Sequence, residues 1–445
     1  MSSSLHAACA EPGQDDPPPL SFDGRDAASA SGQLVGLNYD PATTQAKLFA
    51  AHRAWAETYA RPLYPAEPGH RNDPSPERRL RIGYVSGDFR RHPVAFFVLP
   101  FLKQHDRDRF DCTCYDNNDK RDDLNALLRE TAPLWREVAG LSDSALFERI
   151  RADGIDILVD LSGHTPHNRL SVFARKPAPV QVTAIGYVNT TGLETMDYRL
   201  TDAWCDPPGA DDALYSETLW RLPGGFNCYA PPMGIPEPGP APFLSNGHLT
   251  FGSFNNLDKI STPVLNLWAA ILANLRNARL IMKTKSLSQP AVRERVLGHF
   301  TAAGIECERI ELIEWSATLR EHFETYRRVD VALDPFPYNG TTTTCESLVM
   351  GVPVIAMIGE RHAARVSHSI LARLKMEALC APDADGYLAR ALALAAKPGV
   401  IASTRASLRQ RLARSPLLAA AAYTASLEQA FREMWRRWCA SSGAA

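Results

Sequence analysis

Twelve residues in the C-terminal half pose a chemical question. Phe336 to Ser347 read FPYNGTTTTCES, four consecutive threonines between an apolar strand-like run and an apolar helix-like run. One threonine suffices to cap a helix, and threonine is a poor helix former, so four in a row call for another reason. A helix N-terminus presents unpaired N–H groups and a positive dipole end, which suit phosphate. The hydroxyls of Thr341, Thr342 and Thr343 add donors without bulk, and Gly340, which permits a tight turn with close approach to the backbone, is expected to hold the nucleotide with them. Glu346, one turn in, repels phosphate but accepts hydrogen bonds from ribose hydroxyls, as acidic residues do in nucleotide sites. The stretch reads either as a seat for the diphosphate and ribose of a nucleotide or as a capped helix with surplus threonines.

Three further stretches follow strand-like runs. FGSFNNLDKI places Lys259 where it neutralises a departing diphosphate, a charge-assisted contact at the point where negative charge develops. The alternative is a surface lysine at a helix start. GDFRRHP places His92 after the first such run, where an imidazole takes a proton from an acceptor hydroxyl near neutral pH. SGHTPHN follows another. His164 and Thr165 there, with Gly186 near the end of the next run, are candidate sugar or acceptor contacts. His164 and His167 lack a third ligand at metal-site spacing. The carboxylate pairs Asp106/Asp108 and Asp383/Asp385 do not follow apolar strands. No metal or other cofactor is expected. No P-loop, G-x-G-x-x-G, H-E-x-x-H or G-x-S-x-G motif occurs.

The elements that must position these residues show βαβ rhythm. Leu80–Asp88, Phe110–Asp116, Ile155–Gly163, Val180–Tyr187 and Tyr198–Asp202 read as short strands separated by helical stretches. PPMGIPEPGPAP, Pro231 to Pro242, holds six prolines. It suits neither a helix interior nor a central strand, and reads as a stiff linker. The rhythm then restarts at Leu249–Asn255, Ala278–Thr284, Arg309–Ile313, Asp330–Leu333 and Pro353–Ile358. The implied fold is α/β, two doubly wound Rossmann-like domains facing a cleft, with ligands beyond the carboxyl ends of the strands. The expected divisions are: residues 1–76, a disordered or linker region with one short helix near Thr43 to Tyr59; 77–230, the first lobe; 231–247, the linker; 248–412, the second lobe; 413–440, a final amphipathic helix packing back on the first lobe.

A chain of 445 residues, 45% of them hydrophobic, has material for two cores. A formal net charge of −2 weighs against a nucleic-acid partner. The nine cysteines form no C-x-x-C pair, which points to a reducing compartment. No signal-peptide pattern opens the chain and no apolar run reaches the ~18 residues of a membrane span. A cytoplasmic protein with no membrane association is expected.

LRIGYVSGDFRRHP, DILVDLSGHTPHNRL, KPAPVQVTAIGYVNTTGLETMDYRLTD, FGSFNNLDKI, VDVALDPFPYNGTTTTCESLVMGVPVIAM and SPLLAAAAYTASLEQAFREMWRRW together resemble the catalytic region of the O-GlcNAc transferase and SPINDLY family. The resemblance runs from about Arg79 to Trp438 and is closer in wording to the SPINDLY branch. It implies a GT-B glycosyltransferase fold. The implied reaction is metal-independent, inverting transfer from a nucleotide sugar, UDP-GlcNAc, to Ser or Thr of a protein acceptor. By position, His92 corresponds to a histidine near the acceptor and Lys259 to a lysine on the diphosphate. Thr341, Thr342 and Thr343 correspond to the phosphate-binding turn, Glu346 to an acidic ribose ligand, and Asn256 and His322 to positions lining the nucleotide. Leu319, Thr325 and Asp258 depart from O-GlcNAc transferases, which have lysine, arginine and tyrosine there; a SPINDLY-like donor, GDP-fucose, is the alternative. The tetratricopeptide repeats that usually precede this region do not stand before it, so a separate recruiting partner is a further expectation. A nucleotide-sugar epimerase and a non-catalytic sensor of similar fold are the rival classes.

Overall fold

The computed structural model describes Phe22 and residues 24–442. Residues 1–21, part of the expected disordered region, lie outside it. Two sheets organise the rest. The first holds β1 (Leu80–Ser86), β2 (Phe110–Asp116), β3 (Leu134–Glu137), β4 (Ile157–Asp160), β5 (Val180–Thr183), β6 (Tyr198–Thr201) and β7 (Thr218–Arg221), in spatial order 3-2-1-4-5-6-7. The second holds β8 (Thr250–Ser253), β9 (Arg279–Lys283), β10 (Ile310–Ile313), β11 (Val331–Leu333), β12 (Val354–Met357) and β13 (Cys380–Ala381), in order 10-9-8-11-12-13. Neighbouring strands run parallel throughout. Central strands such as β4 (ILVD) and β5 (VQVT) are buried along their whole length, as a sheet covered on both faces requires. In each sheet the order reverses at one place, between β1 and β4 and between β8 and β11. Those switch points open the crevices in which such folds bind ligands.

The final helix, Ala420–Ser442, buries Leu427, Ala430, Phe431, Met434 and Trp435 in the core of the first lobe. Polar ties fix its place: Arg432 donates to the carbonyls of Pro76 and Arg78, and Trp435 Nε1 to that of Ser75. The proline-rich segment is irregular until a single helical turn at Phe243–Asn246. Prolines offer carbonyls but no N–H, so the donors come from elsewhere. Arg405 donates to the carbonyls of Pro238 and Gly239, and Arg409 to that of Pro236. A third apolar cluster joins the lobes, placing Phe97, Cys205, Phe226 and Tyr229 against Tyr326, Met350, Ile370 and Leu371.

The expectation for residues 1–76 requires correction. Two helices occupy this region, Ala27–Leu37 and Gln45–Trp55, and short turns carry the second on to Leu63. Ala30, Leu34, Leu48 and Trp55 are at most 1% exposed, so the segment is part of the first lobe's core. The first helix escaped the sequence reading because its sequence, AASASGQLVGL, is rich in small residues. That composition mimics a linker, yet here it permits close packing: Ser31 is buried against His164.

Candidate active site

The switch point of the second lobe collects most of the expected residues. Asp334, just beyond β11, accepts the Gly340 N–H at 2.8 Å and so fixes the turn from Phe336 to Gly340. A Cβ on Gly340 would lie 2.4 Å from Thr343 Oγ1 and 2.8 Å from Asp334 Oδ1, so glycine alone fits. Gly340 therefore shapes the turn, and its committed N–H corrects the expectation that it holds the nucleotide itself. Helix Thr342–Val349 starts here with Thr341 as its N-cap. Thr343 Oγ1 donates to Asn255 Oδ1 at 2.8 Å, and Thr344 Oγ1 bonds Ser367 Oγ at 2.9 Å. Thr341 and Thr342 are half-exposed and make no side-chain hydrogen bond among the described residues. The amides of Thr342, Thr343 and Thr344 likewise find no acceptor among them. The run thus divides: two threonines brace the helix start against β8 and the following helix, and two stand beside open N–H groups suited to an anion. Thr343 belongs to the bracing pair, leaving its oxygen free only to accept.

Lys259 closes a short turn, Leu257–Lys259, capped by Asn256. Its ammonium donates to the Asn339 carbonyl at 2.9 Å and lies 4.2 Å from the centre of the Tyr338 ring. It therefore sits at the threshold of the threonine helix. Burial lowers its pKa below the ordinary lysine value, with the Asp334 carboxylate opposing the shift. Burial likewise raises the Asp334 carboxyl. A cation held with few water partners gains strongly from an arriving diphosphate. Asn256 itself is exposed, with its amide donating to Asp258 at 3.0 Å.

Glu346 ends a polar chain. Its Oε2 accepts from His322 Nε2 and from the Tyr326 hydroxyl, both at 3.0 Å, while Oε1 has no partner among the described residues. Lys283, at the end of β9, brings its ammonium 3.0 Å from His322 Nδ1. An ammonium only donates, so Nδ1 accepts and Nε2 carries the proton. Burial lowers the Lys283 pKa to about 8 against the pull of Glu346 and Glu321. His322 is thus a relay between a lysine and the carboxylate. The sequence reading missed Lys283, Asn255, Asp334, Tyr338 and Asn339. A polar residue closing an apolar strand, as in LIMK and VALD, was the available signal for Lys283 and Asp334.

In the first lobe His92 caps helix Pro93–Gln104 beyond β1. Its Nδ1 lies 3.4 Å from both the Val94 amide and Asp88 Oδ1. A proton on Nδ1 directed at Asp88, in place of the Val94 amide's bond to that nitrogen, leaves the Nε2 lone pair free to act as a base. Burial lowers the His92 pKa, Asp88 opposing and Arg90 reinforcing.

The expected sugar or acceptor role of His164 is overturned. Its ring is 1% exposed, Nδ1 bonds Ser31 Oγ at 3.0 Å and Nε2 faces the Thr191 carbonyl at 2.9 Å. Trp55, His52 and Tyr187 pack around it. The first helix, which the sequence reading took for linker, and the second, which it placed near Thr43 to Tyr59, seal it from solvent. Thr165 is half-exposed but donates its hydroxyl to the Ser162 carbonyl at 2.7 Å. At Gly186 a Cβ would stand 1.7 Å from the Leu161 carbonyl oxygen, so the glycine lets this loop cross the end of β4. Asp160 holds the intervening loop by accepting the amides of Ser162 and Gly163. No three His, Cys, Asp or Glu side chains group for a metal ion among the described residues.

Two parallel Rossmann-like lobes, each with its switch point in the crevice order, define a GT-B glycosyltransferase fold. The chain belongs to glycosyl transferase family 41, whose model matches residues 64–228 and 243–427. It is 43% identical over 414 residues to a Solanum lycopersicum protein named as a probable UDP-N-acetylglucosamine–peptide N-acetylglucosaminyltransferase SPINDLY, covering 92% of this chain and 44% of that one. The chain thus spans less than half the length of the curated relatives it matches. Among solved structures, an O-GlcNAc transferase mutant of Thermobaculum terrenum aligns with a TM-score of 0.88 at 40% identity, covering 94% of this chain and 79% of that one. A Thermosynechococcus elongatus sucrose-phosphate synthase, 13% identical, shares the fold alone at a TM-score of 0.53 over 80% of this chain and 99% of its own.

Proposed function

We propose that this chain transfers N-acetylglucosamine from UDP-N-acetylglucosamine to serine or threonine hydroxyls of proteins, with inversion and without a metal ion. The observation that carries the reading is the meeting of the Lys259 ammonium with the open N-terminus of the threonine helix, on either side of Asn339–Gly340. The acceptor oxygen attacks the anomeric carbon as the bond to the nucleoside diphosphate breaks. His92 Nε2 takes the hydroxyl proton. Lys259 and the amides of Thr342 to Thr344 hold the departing diphosphate, and Glu346 Oε1 accepts from the ribose. The names of the family relatives support this donor and acceptor.

A second donor, GDP-fucose, is favoured by the rim around the base. Leu319 packs into the interlobe cluster and Thr325 donates its hydroxyl to the Glu321 carbonyl, so neither offers a cation to uracil. Trp315, beyond β10, is 71% exposed and offers a flat aromatic face to a base.

Thermal shift with UDP, GDP, UDP-N-acetylglucosamine and GDP-fucose, followed by transfer to peptide in EDTA, tests the reading. A ligand at ~100 times its Kd stabilises by about 2.7 kcal/mol. Uridine ligands are expected to raise the melting temperature and turnover to persist in EDTA. Stabilisation by guanosine ligands alone moves the assignment to fucose. Turnover lost in EDTA and restored by Mg²⁺ or Mn²⁺ overturns the metal-independent mechanism.

A further inference from the structure

The turn that follows the first helix touches both lobes. Asn38, Tyr39 and Asp40 form this turn. Asn38 is buried and bound to the first lobe: its amide donates to the Tyr187 hydroxyl at 3.0 Å, and Asn189 donates to its oxygen at 3.2 Å. The Tyr187 hydroxyl in turn meets His52 Nε2 at 2.7 Å, and His52 Nδ1 donates to the Leu48 carbonyl at 2.6 Å. Burial holds His52 neutral, its pKa lowered to about 4, so the chain runs Asn38 to Tyr187 to His52 to Leu48 with one donor and one acceptor at each link. Asp40 is bound to the second lobe: its carbonyl accepts from Arg361 Nη2 at 3.3 Å. Arg361 lies beyond β12 and is 5% exposed, so this anchor is itself rigid.

Between the two anchors stands Tyr39. Its ring packs on Tyr338 with centroids 5.1 Å apart, and Tyr338 is the ring over which the Lys259 ammonium rests at 4.2 Å. Three side chains from three separate parts of the chain therefore make one column: Tyr39, Tyr338, Lys259. An ammonium over an aromatic face is held by the ring quadrupole, and that hold is only as firm as the ring. Tyr338 belongs to the turn between β11 and the threonine helix.

We propose that Tyr39 is a positioning residue for Lys259, holding the Tyr338 ring that aims the ammonium at the leaving diphosphate, and that the N-terminal helical segment is in this way a working part of the cleft. The inference rests on the catalytic reading of Lys259 given above. A lysine freed from the column keeps only the Asn339 carbonyl to hold its ammonium, and has more rotamers to choose from. Each turnover then begins with a search for the productive one, which costs rate rather than affinity.

The test is a cycle of Tyr39→Ala, Lys259→Ala and the double variant, with Tyr39→Phe as the conservative control. Single-turnover transfer is measured at saturating donor. In parallel, the ¹³Cε resonance of Lys259, identified by its loss in Lys259→Ala, is titrated in the free enzyme. Tyr39→Ala is expected to slow transfer about 10-fold, while Tyr39→Phe, which keeps the ring, restores most of the rate. In the Lys259→Ala background the same change is expected to cost nothing further. The Lys259 titration should move towards the ordinary lysine value in Tyr39→Ala and stay in place in Tyr39→Phe. An equal loss of rate in both backgrounds, or a Lys259 titration unmoved by Tyr39→Ala, overturns the proposal. If Lys259→Ala alone leaves transfer near normal, the catalytic reading of the lysine falls, and the titration still decides whether Tyr39 positions it.

Discussion

On the proposed reading, Lys259 and Thr342 both meet the donor's diphosphate but matter at different stages of the reaction. The threonine holds it in the bound donor and in the transition state alike. Negative charge grows on the β-phosphate as the glycosidic bond breaks, so the lysine's contribution rises along the path. Lys259→Ala is expected to lower turnover by roughly 10²–10³-fold, the scale of a lost oxyanion donor. Thr342→Ala should mainly raise the apparent KM, by the ~0.5–1.5 kcal/mol of one neutral hydrogen bond. Donor titration with turnover and binding read separately distinguishes them; a Lys259 variant of normal turnover leaves the threonines as a seat and removes the lysine's catalytic part. The pH profile follows from the same groups. Lys259 acts protonated, and burial lowers its pKa, so its active form is lost as pH rises through a value below 10.5. His92 acts unprotonated, and burial lowers its pKa too, so its active form is lost as pH falls through a value below 6.5. The plot of kcat/KM should be a bell whose acid limb disappears in His92→Ala. An acid limb that survives the substitution assigns it to another group.

At the scale of elements, the central strands were legible because continuous apolar runs bounded by turn residues admit few other structures. β3 and β7 were missed for the converse reason: LWRE and TLWR are edge strands with mostly half-exposed or exposed residues and carry no such run. The two residues of β13 are too short to register at all. The threonine turn was legible as a strand-to-helix junction, but its internal division was not, because nothing local tells which hydroxyl meets Asn255 or Ser367. That division makes a prediction about the turn as a unit. Gly340→Ala forces a methyl into Thr343 Oγ1 and Asp334 Oδ1. Overpacking of this kind costs about 1–3 kcal/mol. Both contacts are at the proposed donor site, so the loss is expected in nucleotide affinity measured by calorimetry as well as in melting temperature. Unchanged affinity in a folded Gly340→Ala variant would separate the turn from the donor.

The molecule as a whole is a pair of lobes held shut by more than a hinge. The sequence shows the lobes and the linker, because each lobe repeats its own local rhythm. It does not show what joins them, since those partners lie more than a hundred residues apart and only the fold brings them together. Asp206 of the first lobe meets His362 of the second at 2.7 Å, with the pair 6% and 2% exposed. The Tyr215 hydroxyl donates to the same carboxylate at 2.8 Å. Close by, Ser369 donates to Asp202 and Arg373 to the Asn227 carbonyl, again across the lobes. Burial alone raises the Asp206 carboxyl, but His362, the Arg199 charge and the Thr201 hydroxyl together more than reverse this, and its pKa lies below the ordinary value of 3.8. A depressed carboxyl contributes stability that is fully present above its unfolded pKa and is lost as pH falls through the folded one. Removing one member of a buried pair strands the other, at a cost of about 3–5 kcal/mol. His362→Ala is therefore expected to unfold at much lower urea than wild type at pH 7. Asp206→Asn should also cost stability, and the double variant less than the sum of the two. The deficit of His362→Ala should shrink as pH is lowered past 3.8, the range in which wild type loses the stability its depressed carboxyl contributes. Simple additivity across the cycle would show that the two side chains share a place in the interface without holding the lobes together.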